Sequence, residues 1–423
     1  MKALRESGLS GEASLPDGGD LGRDAAGLGA MRRPLLFVDQ SGELGGAELS
    51  LLDIARHRRG DGEVLLLSDG PFRRRLEAEG VKVAVEDGGA IGAIRTRGLG
   101  AGVLRALMAL PGLVRRVARR ARQADVVYAN TQKAMAVAVL GRWLHRRPVI
   151  WHLRDIVDAG HFGRAQRFAI RCLSRGLDQV IANSQASAAA FDTLTGGRIP
   201  VEVIHNGIDA APFEAARSLD RQALRAANGL PADTLLVGLF GRLAPWKGQH
   251  VLLEAVSRVA GMTAVLVGAA LFGEGAYEQA LRERAAEPDL CGRVQFLGFR
   301  EDVADLMHCV DVVVHASVSP EPFGRVVVEG MLARKPVVAT AAGGVPEIIE
   351  HGVTGWLVQP GDAGALADAL ARLCDDEQRD LLSGNALDAA ILRFAPQAIL
   401  AAIDRVIAGV IRSHRFARDS PAA

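Results

Sequence analysis

Short apolar runs alternate with helix-forming segments along most of the chain, and this alternation limits the fold more than any other feature. The runs LLFVDQ (35–40), EVLLLSD (63–69), VKVAVE (81–86), DVVYANT (125–131), PVIWHLRD (148–155), DQVIANS (178–184) and VEVIHNG (201–207) are separated mostly by Ala/Leu/Arg-rich stretches. Strands that are apolar on both faces and alternate with helices predict a parallel sheet between helical layers. The alternation pauses from Ile208 to about Asp233. It then resumes with LLVGLFGRL (235–243), TAVLVGAA (263–270), RVQFLGF (293–299), DVVVHAS (311–317), PVVAT (336–340) and GWLVQP (355–360). Two doubly wound α/β domains joined near residue 210 are the economical reading. Ligands of open parallel sheets sit beyond the carboxyl ends of the strands, so function is sought in the loops that follow each run.

After the first run comes SGELGGAE, where Gly45 and Gly46 let the backbone approach a ligand and a helix start offers N–H groups to an anion. The alternative is a tight turn with Glu48 complementing the helix dipole. The stretch is not GxGxxG, which weakens a nicotinamide reading, although Asp69 ends the second run where a ribose-binding acid would sit. After the first run of the second series, GRLAPWKG places Arg242 and Lys247 on one strand-end loop. It is not a P-loop, because Gly248 and Gln249 stand where Ser or Thr is needed, but a guanidinium fork and an ammonium suit a diphosphate. Two solvated surface cations are the alternative. In PEPFGRVVVEG, Glu321 precedes a helix expected to begin near Phe323 or Gly324, and Glu329 lies about one and a half turns inside it.

The net charge of +1 hides a split: 27 Lys and Arg stand against 16 Asp and Glu in residues 31–200 (+11), and 20 against 28 after residue 200 (−8). The first half should prefer anionic partners. Five of the 50 basic residues are Lys, so Arg abundance follows overall composition and is no nucleic-acid signal. Cys172, Cys291, Cys309 and Cys374 form no CxxC pair, which argues against a zinc site or disulfide framework and fits a reducing cytoplasm. Residues 1–30, rich in Gly, Ser and Asp, read as a disordered extension without the apolar core of a secretory signal, with translation from Met31 as the alternative. No apolar run is judged long enough to span a membrane.

Taken together, GRLAPWKG, EPFGRVVVEGMLARKPVVAT and GGVPEIIEHGVTGWLVQPGD, in this order and spacing, resemble the carboxyl-terminal domain of the retaining glycosyltransferases of family 4, which have the GT-B fold of two Rossmann-like domains facing a cleft. The looser matches GGAE and WHLRD extend the resemblance from about Pro34 to near Arg412. It implies an acceptor domain over residues 31–208, a donor domain over 209–394, a helix over 395–415 crossing back to the first domain, and a disordered tail over 416–423. It also implies that Arg242 and Lys247 hold the diphosphate of a UDP- or GDP-linked sugar, that Glu329 takes the ribose hydroxyls and that Glu321 binds the donor sugar. Phe323 and Gly324, with Arg325 beside them, would offer backbone N–H groups; Gly45 and Gly46 would admit the diphosphate; Phe299 and Arg300 would flank the base. His152 would contact the sugar near the reacting centre, its alternative being a satisfied structural histidine, as His205 is read to be. The stretch VGAALFGEG departs from the Gly-Asp-Gly-Pro turn of many members.

The implied chemistry is transfer of a sugar to an acceptor hydroxyl with retention, no cofactor and no metal. The acceptor is a glycan, a lipid-linked or a small molecule, in cell-surface polysaccharide, glycolipid or glycoconjugate biosynthesis. A nucleotide-sugar epimerase of related fold and a non-catalytic sugar-nucleotide-binding subunit are the rival readings. The segment VLRALMALPGLVRRVARRAR (103–122), interrupted at Pro111, reads as a basic amphipathic helix able to rest on anionic lipid at the inner face of the cytoplasmic membrane, or as an ordinary surface helix. No nucleic-acid partner is expected.

Overall fold

The structure is a computed structural model that describes residues 34–88, 101–271 and 273–419, the side chains of 101–107, 418 and 419 excepted. The expected extension over residues 1–30 lies outside the described residues, as do 420–423 of the expected tail.

All thirteen apolar runs are strands. The first seven are β1 (Leu35–Asp39), β2 (Gly62–Leu66), β3 (Val83–Val85), β4 (Val126–Ala129), β5 (Val149–Leu153), β6 (Gln179–Ala182) and β7 (Val201–Val203); the rest are β8 (Leu235–Phe240), β9 (Met262–Val267), β10 (Val294–Gly298), β11 (Val312–His315), β12 (Val337–Thr340) and β13 (Trp356–Val358). Two parallel sheets result, ordered β3-β2-β1-β4-β5-β6-β7 and β10-β9-β8-β11-β12-β13. In each, the chain walks outward from its first strand and then restarts on that strand's other side. The switch points therefore fall between β1 and β4 and between β8 and β11, where crevices open at the carboxyl ends.

The inner strands of both sheets are apolar along their length because they are covered on both faces, whereas the edge strands β3, β7 and β10 are only partly buried. In β1, Leu36 and Val38 enter one core with Leu113, Val117, Met135, Trp151 and Phe191. Their neighbours Leu35 and Phe37 enter the opposite core with Leu51, Phe72, Tyr128 and Ile150, as the two-residue period of a strand requires. That second core also takes Ile403, Val406, Ile407 and Ile411 of the last helix, Pro396–Asp419, so the chain's end packs on the first sheet after leaving the second. Its helix carries Phe416 and three residues beyond, where a disordered tail was expected to begin.

Two further expectations are corrected. The helix Ala101–Ala121 runs through Pro111, which forfeits one backbone hydrogen bond, while Leu113, Val114, Val117, Ala118 and Ala121 hold the following turns in the core. Residues 376–417 contain a helical stretch long and apolar enough, by length and composition, to cross a membrane, contrary to the reading that none exists. It comprises two helices that divide at Phe394 and Ala395, and four of its isoleucines and valines are buried against the first sheet.

Candidate functional site

At the switch point of the second sheet, β8 ends in the loop carrying Arg242 and a single 3-10 turn, Pro245–Lys247. Gly248 then takes φ 72°, and a Cβ built there would lie 1.9 Å from the carbonyl oxygen of Ala316, just past β11. That close approach explains why glycine follows Lys247. Gln249, fully buried, donates from Nε2 to the Arg242 carbonyl at 2.9 Å, and the Val318 amide donates to the Trp246 carbonyl at 2.8 Å. The loop is thus clamped to the segment after β11. Gly248→Ala is expected to cost about 2 kcal/mol or more, because the loop must move off the Ala316 carbonyl and a left-handed φ must be held by an L-residue; thermal unfolding measures it.

The Lys247 ammonium lies 2.5 Å from Glu321 Oε1 and 4.4 Å from the centre of the Trp246 ring. Arg242 reaches Glu274 at 3.2 Å, in the stretch that departs from the Gly-Asp-Gly-Pro turn. Glu321 is a hub: its Oε1 meets Lys247, the Ser317 hydroxyl and, at 3.0 Å, His315 Nε2. Burial pushes its carboxyl up, but the charges of Lys247 and His315 more than reverse this and hold it well below the usual carboxylate range. All three contacts fall on Oε1.

The helix of PEPFGRVVVEG spans Arg325–Leu332, with Gly324 at φ 95° before it. Val327 and Val328 are fully buried, which fixes the helix against the sheet. The Phe323 side chain is buried with His205 and Phe394, each 5.8 Å away, so only its backbone is on offer to a ligand. Arg325 pairs with Glu329 at 3.3 Å and points to Asp53 of the first domain at 3.9 Å. A Cβ on Gly46 would meet Arg325 Cδ at 3.6 Å. Gly45 and Gly46 begin the helix Gly46–His57 beyond β1, so the glycine turn of one sheet faces the helix start of the other. Phe299 and Arg300 follow β10, the edge strand two places from the switch point; Phe299 is exposed and Arg300 pairs with Asp302 at 2.7 Å.

His152, in β5, is buried. Its Nδ1 meets the Tyr128 hydroxyl and, at 3.1 Å, Arg154 Nη2, while Nε2 is buried without a hydrogen-bond partner. Burial first and the Arg154 charge second lower its basicity well below that of an ordinary histidine. Arg154 donates onward to Asn130 Oδ1 (2.7 Å) and Asn206 Oδ1 (2.9 Å), and Asn130 donates to Asp39 Oδ2 (2.6 Å). Sequence reasoning missed this network. Its signal was the polar ends of the apolar runs, the Asp of LLFVDQ, the Asn of DVVYANT and the Arg of WHLRD, which neighbouring parallel strands place side by side.

Beside it, burial and then Asp39 push the Glu48 carboxyl up to about 7. A raised folded value means that the native state holds a proton the unfolded chain has lost, so this group erodes stability as pH rises from the unfolded value through about 7. Glu48→Gln should therefore gain on the wild type by about 2 kcal/mol between about pH 5 and pH 8, read by denaturant unfolding at each pH.

His205 Nε2 lies 3.0 Å from Glu347, whose carboxylate also accepts the Gln185 and Ala186 amides at 2.9 and 3.0 Å. It is a joint between the two sheets' loops. In the basic helix, Arg116 and Arg120 pair with Glu86, and Arg120 also with Glu63, while the apolar face is used by the core. Arg115, Arg119 and Arg122 remain exposed. The four cysteines are free thiols, and among the described residues no group of three His, Cys, Asp or Glu side chains converges as a metal-binding set.

Comparison with known proteins matches residues 220–387 to the family described as glycosyl transferases group 1 and residues 45–207 to the glycosyl transferase 4-like domain. The D-inositol 3-phosphate glycosyltransferase of Mycolicibacterium smegmatis is 32% identical over 242 residues, 56% of this chain and 55% of that protein. The Mycobacterium bovis protein of the same name is 36% identical over 203 residues, 47% of this chain and 42% of that one. The chain thus spans about half the length of the curated relatives it matches. A crystal structure of Anabaena Alr3699/HepE in complex with UDP and glucose is 40% identical, with a TM-score of 0.79, and the match covers 89% of this chain and all of that one. The same protein is also known in complex with UDP-glucose. Sucrose-phosphate synthase of Thermosynechococcus elongatus, 20% identical with a TM-score of 0.75 over 90% of this chain, shares the fold.

Proposed function

The chain belongs to the GT-B glycosyltransferases of the family 4 type, and from that premise we propose that it transfers a sugar from a UDP-linked donor to an acceptor hydroxyl with retention of anomeric configuration. One observation carries the reading: Arg242 and Lys247 share a clamped loop at the switch point of the second sheet, where a diphosphate would meet both cations. Charge accumulates on the departing diphosphate, and cations already in place stabilise it without reorganising. Protein cations do this work in our reading, so a metal is dispensable.

Glu329 takes the ribose hydroxyls, its carboxylate oxygens suiting a vicinal diol, with Arg325 as a further contact near the phosphates. Glu321 orients Lys247 through Oε1 and presents Oε2 to a hydroxyl of the sugar. Gly45 and Gly46 admit the diphosphate from the first domain, the Phe323 and Gly324 amides meet sugar and phosphate oxygens, and Phe299 and Arg300 flank the base. His152 contacts the sugar. UDP is favoured over GDP by the UDP complexes of Alr3699/HepE. The acceptor is a glycan, a lipid-linked or a small molecule bound by the domain of residues 31–208, with the donor domain over 209–394. The exposed Arg115, Arg119 and Arg122 fit an anionic acceptor or anionic lipid at the cytoplasmic face of a membrane.

A panel of nucleotide sugars tests the donor. UDP and one UDP-sugar should raise the melting temperature, since a ligand that binds only the folded state stabilises it. No shift with any nucleoside diphosphate would remove the reading.

A further inference from the structure

We propose that Arg154 is a positioning residue that fixes His152 as the neutral tautomer protonated on Nε2. A guanidinium has donors only, so the ring nitrogen facing Arg154 Nη2 at 3.1 Å presents a lone pair. The Tyr128 hydroxyl meets the same Nδ1 and, against a bare nitrogen, is the donor of that bond. The single proton of the neutral ring is then on Nε2, the atom that is buried without a partner, in a ring that lines a small pocket with Ser50, Asp53, His205 and Asn206.

Arg154 cannot turn away. Its Nε and Nη1 are taken by Asn130 and Asn206, Asn130 is anchored by Asp39, and the Ser50 hydroxyl donates to Asn206 at 3.0 Å. Residues at the ends of β1, β4 and β5, after β7 and on helix Gly46–His57 thus converge to set one proton. The role of the donor that results rests on the glycosyl-transfer reading: an uncharged N–H can bond a sugar oxygen while positive charge grows on the sugar ring, whereas an imidazolium there would oppose that charge.

The test is 15N-imidazole NMR of the full chain, with His152 assigned by its loss in His152→Asn. Tyr128 faces the ring from β4, Arg154 from the end of β5, Asp53 from helix Gly46–His57 and His205 from beyond β7; Asp39 and Glu48 act on it through Arg154. We expect protonated Nε2, bare Nδ1 and no titration near neutral pH. In Arg154→Met the tautomers should mix, the ring should begin to titrate, and kcat should fall about tenfold or more, as when another enzyme's histidine is left in the wrong tautomer, while UDP affinity is unchanged. A proton on Nδ1 in the wild type, or a tautomer and titration unchanged in the variant, would overturn the assignment. Should the variant not fold, the wild-type spectrum still decides. The spectrum needs no turnover, so failure of the glycosyl-transfer reading would be seen separately, as absence of donor binding.

Discussion

Lys247→Ala is expected to lower turnover by about two to three orders of magnitude, on the scale of removing one preorganised donor at a developing anion. The ammonium stands 2.5 Å from Glu321 Oε1 and sits over the Trp246 ring, held by a loop with little freedom. Its removal takes a positive charge from the leaving diphosphate and leaves Glu321 with Ser317 and His315 as its remaining side-chain partners. Two readouts should therefore move together: UDP affinity falls, and the melting temperature drops because a buried carboxylate has lost most of its compensation. Near-normal kcat in a folded variant would remove the diphosphate assignment, whatever the melting temperature.

Glu321→Gln should separate the roles of the two acids of PEPFGRVVVEG, Glu321 and Glu329. The amide keeps the size of the side chain and removes its charge, so Lys247 no longer shares its charge with a neighbour. Affinity for free UDP should hold or rise, while turnover falls about a hundredfold as the sugar loses its carboxylate contact. Glu329→Ala should instead weaken UDP and the UDP-sugar alike. Equal loss of UDP affinity in both variants would contradict this division of labour. The pH dependence has a fixed sign: the folded value of Glu321 is depressed, so its stabilisation is complete above the unfolded carboxyl value and is lost as pH falls through the lower, folded one. The Gln variant should lack that acid-side loss, which unfolding curves at low pH would show.

Most of the fold was legible because covering a strand on both faces leaves a mark on every residue. VVV at 312–314 can be read as buried strand without knowing its neighbours, as can the other runs that lie inside the two sheets. Pro111 and the chain's end were misjudged on local rules: packing of Leu113 and Val117 carried one helix past a proline, and a helix that buries Ile403 and Ile411 continued to Asp419. Within the site, spacing alone placed Glu321 before the helix and Glu329 inside it. It could not show that Glu321 is buried against Lys247, 74 residues away, or that Arg325 points across to Asp53, because those pairings depend on how strands are ordered. The Arg154 network is the sharpest case. Asp39, Asn130, Arg154 and Asn206 are spread over the whole first domain and meet because their strand ends lie on one edge of one sheet.

Retention at the anomeric carbon is read directly by 1H NMR of the first-formed product. With an α-linked UDP-sugar that the binding panel selects, UDP release should accompany a sugar product whose anomeric coupling is that of the α configuration. A first-formed β product would contradict retention.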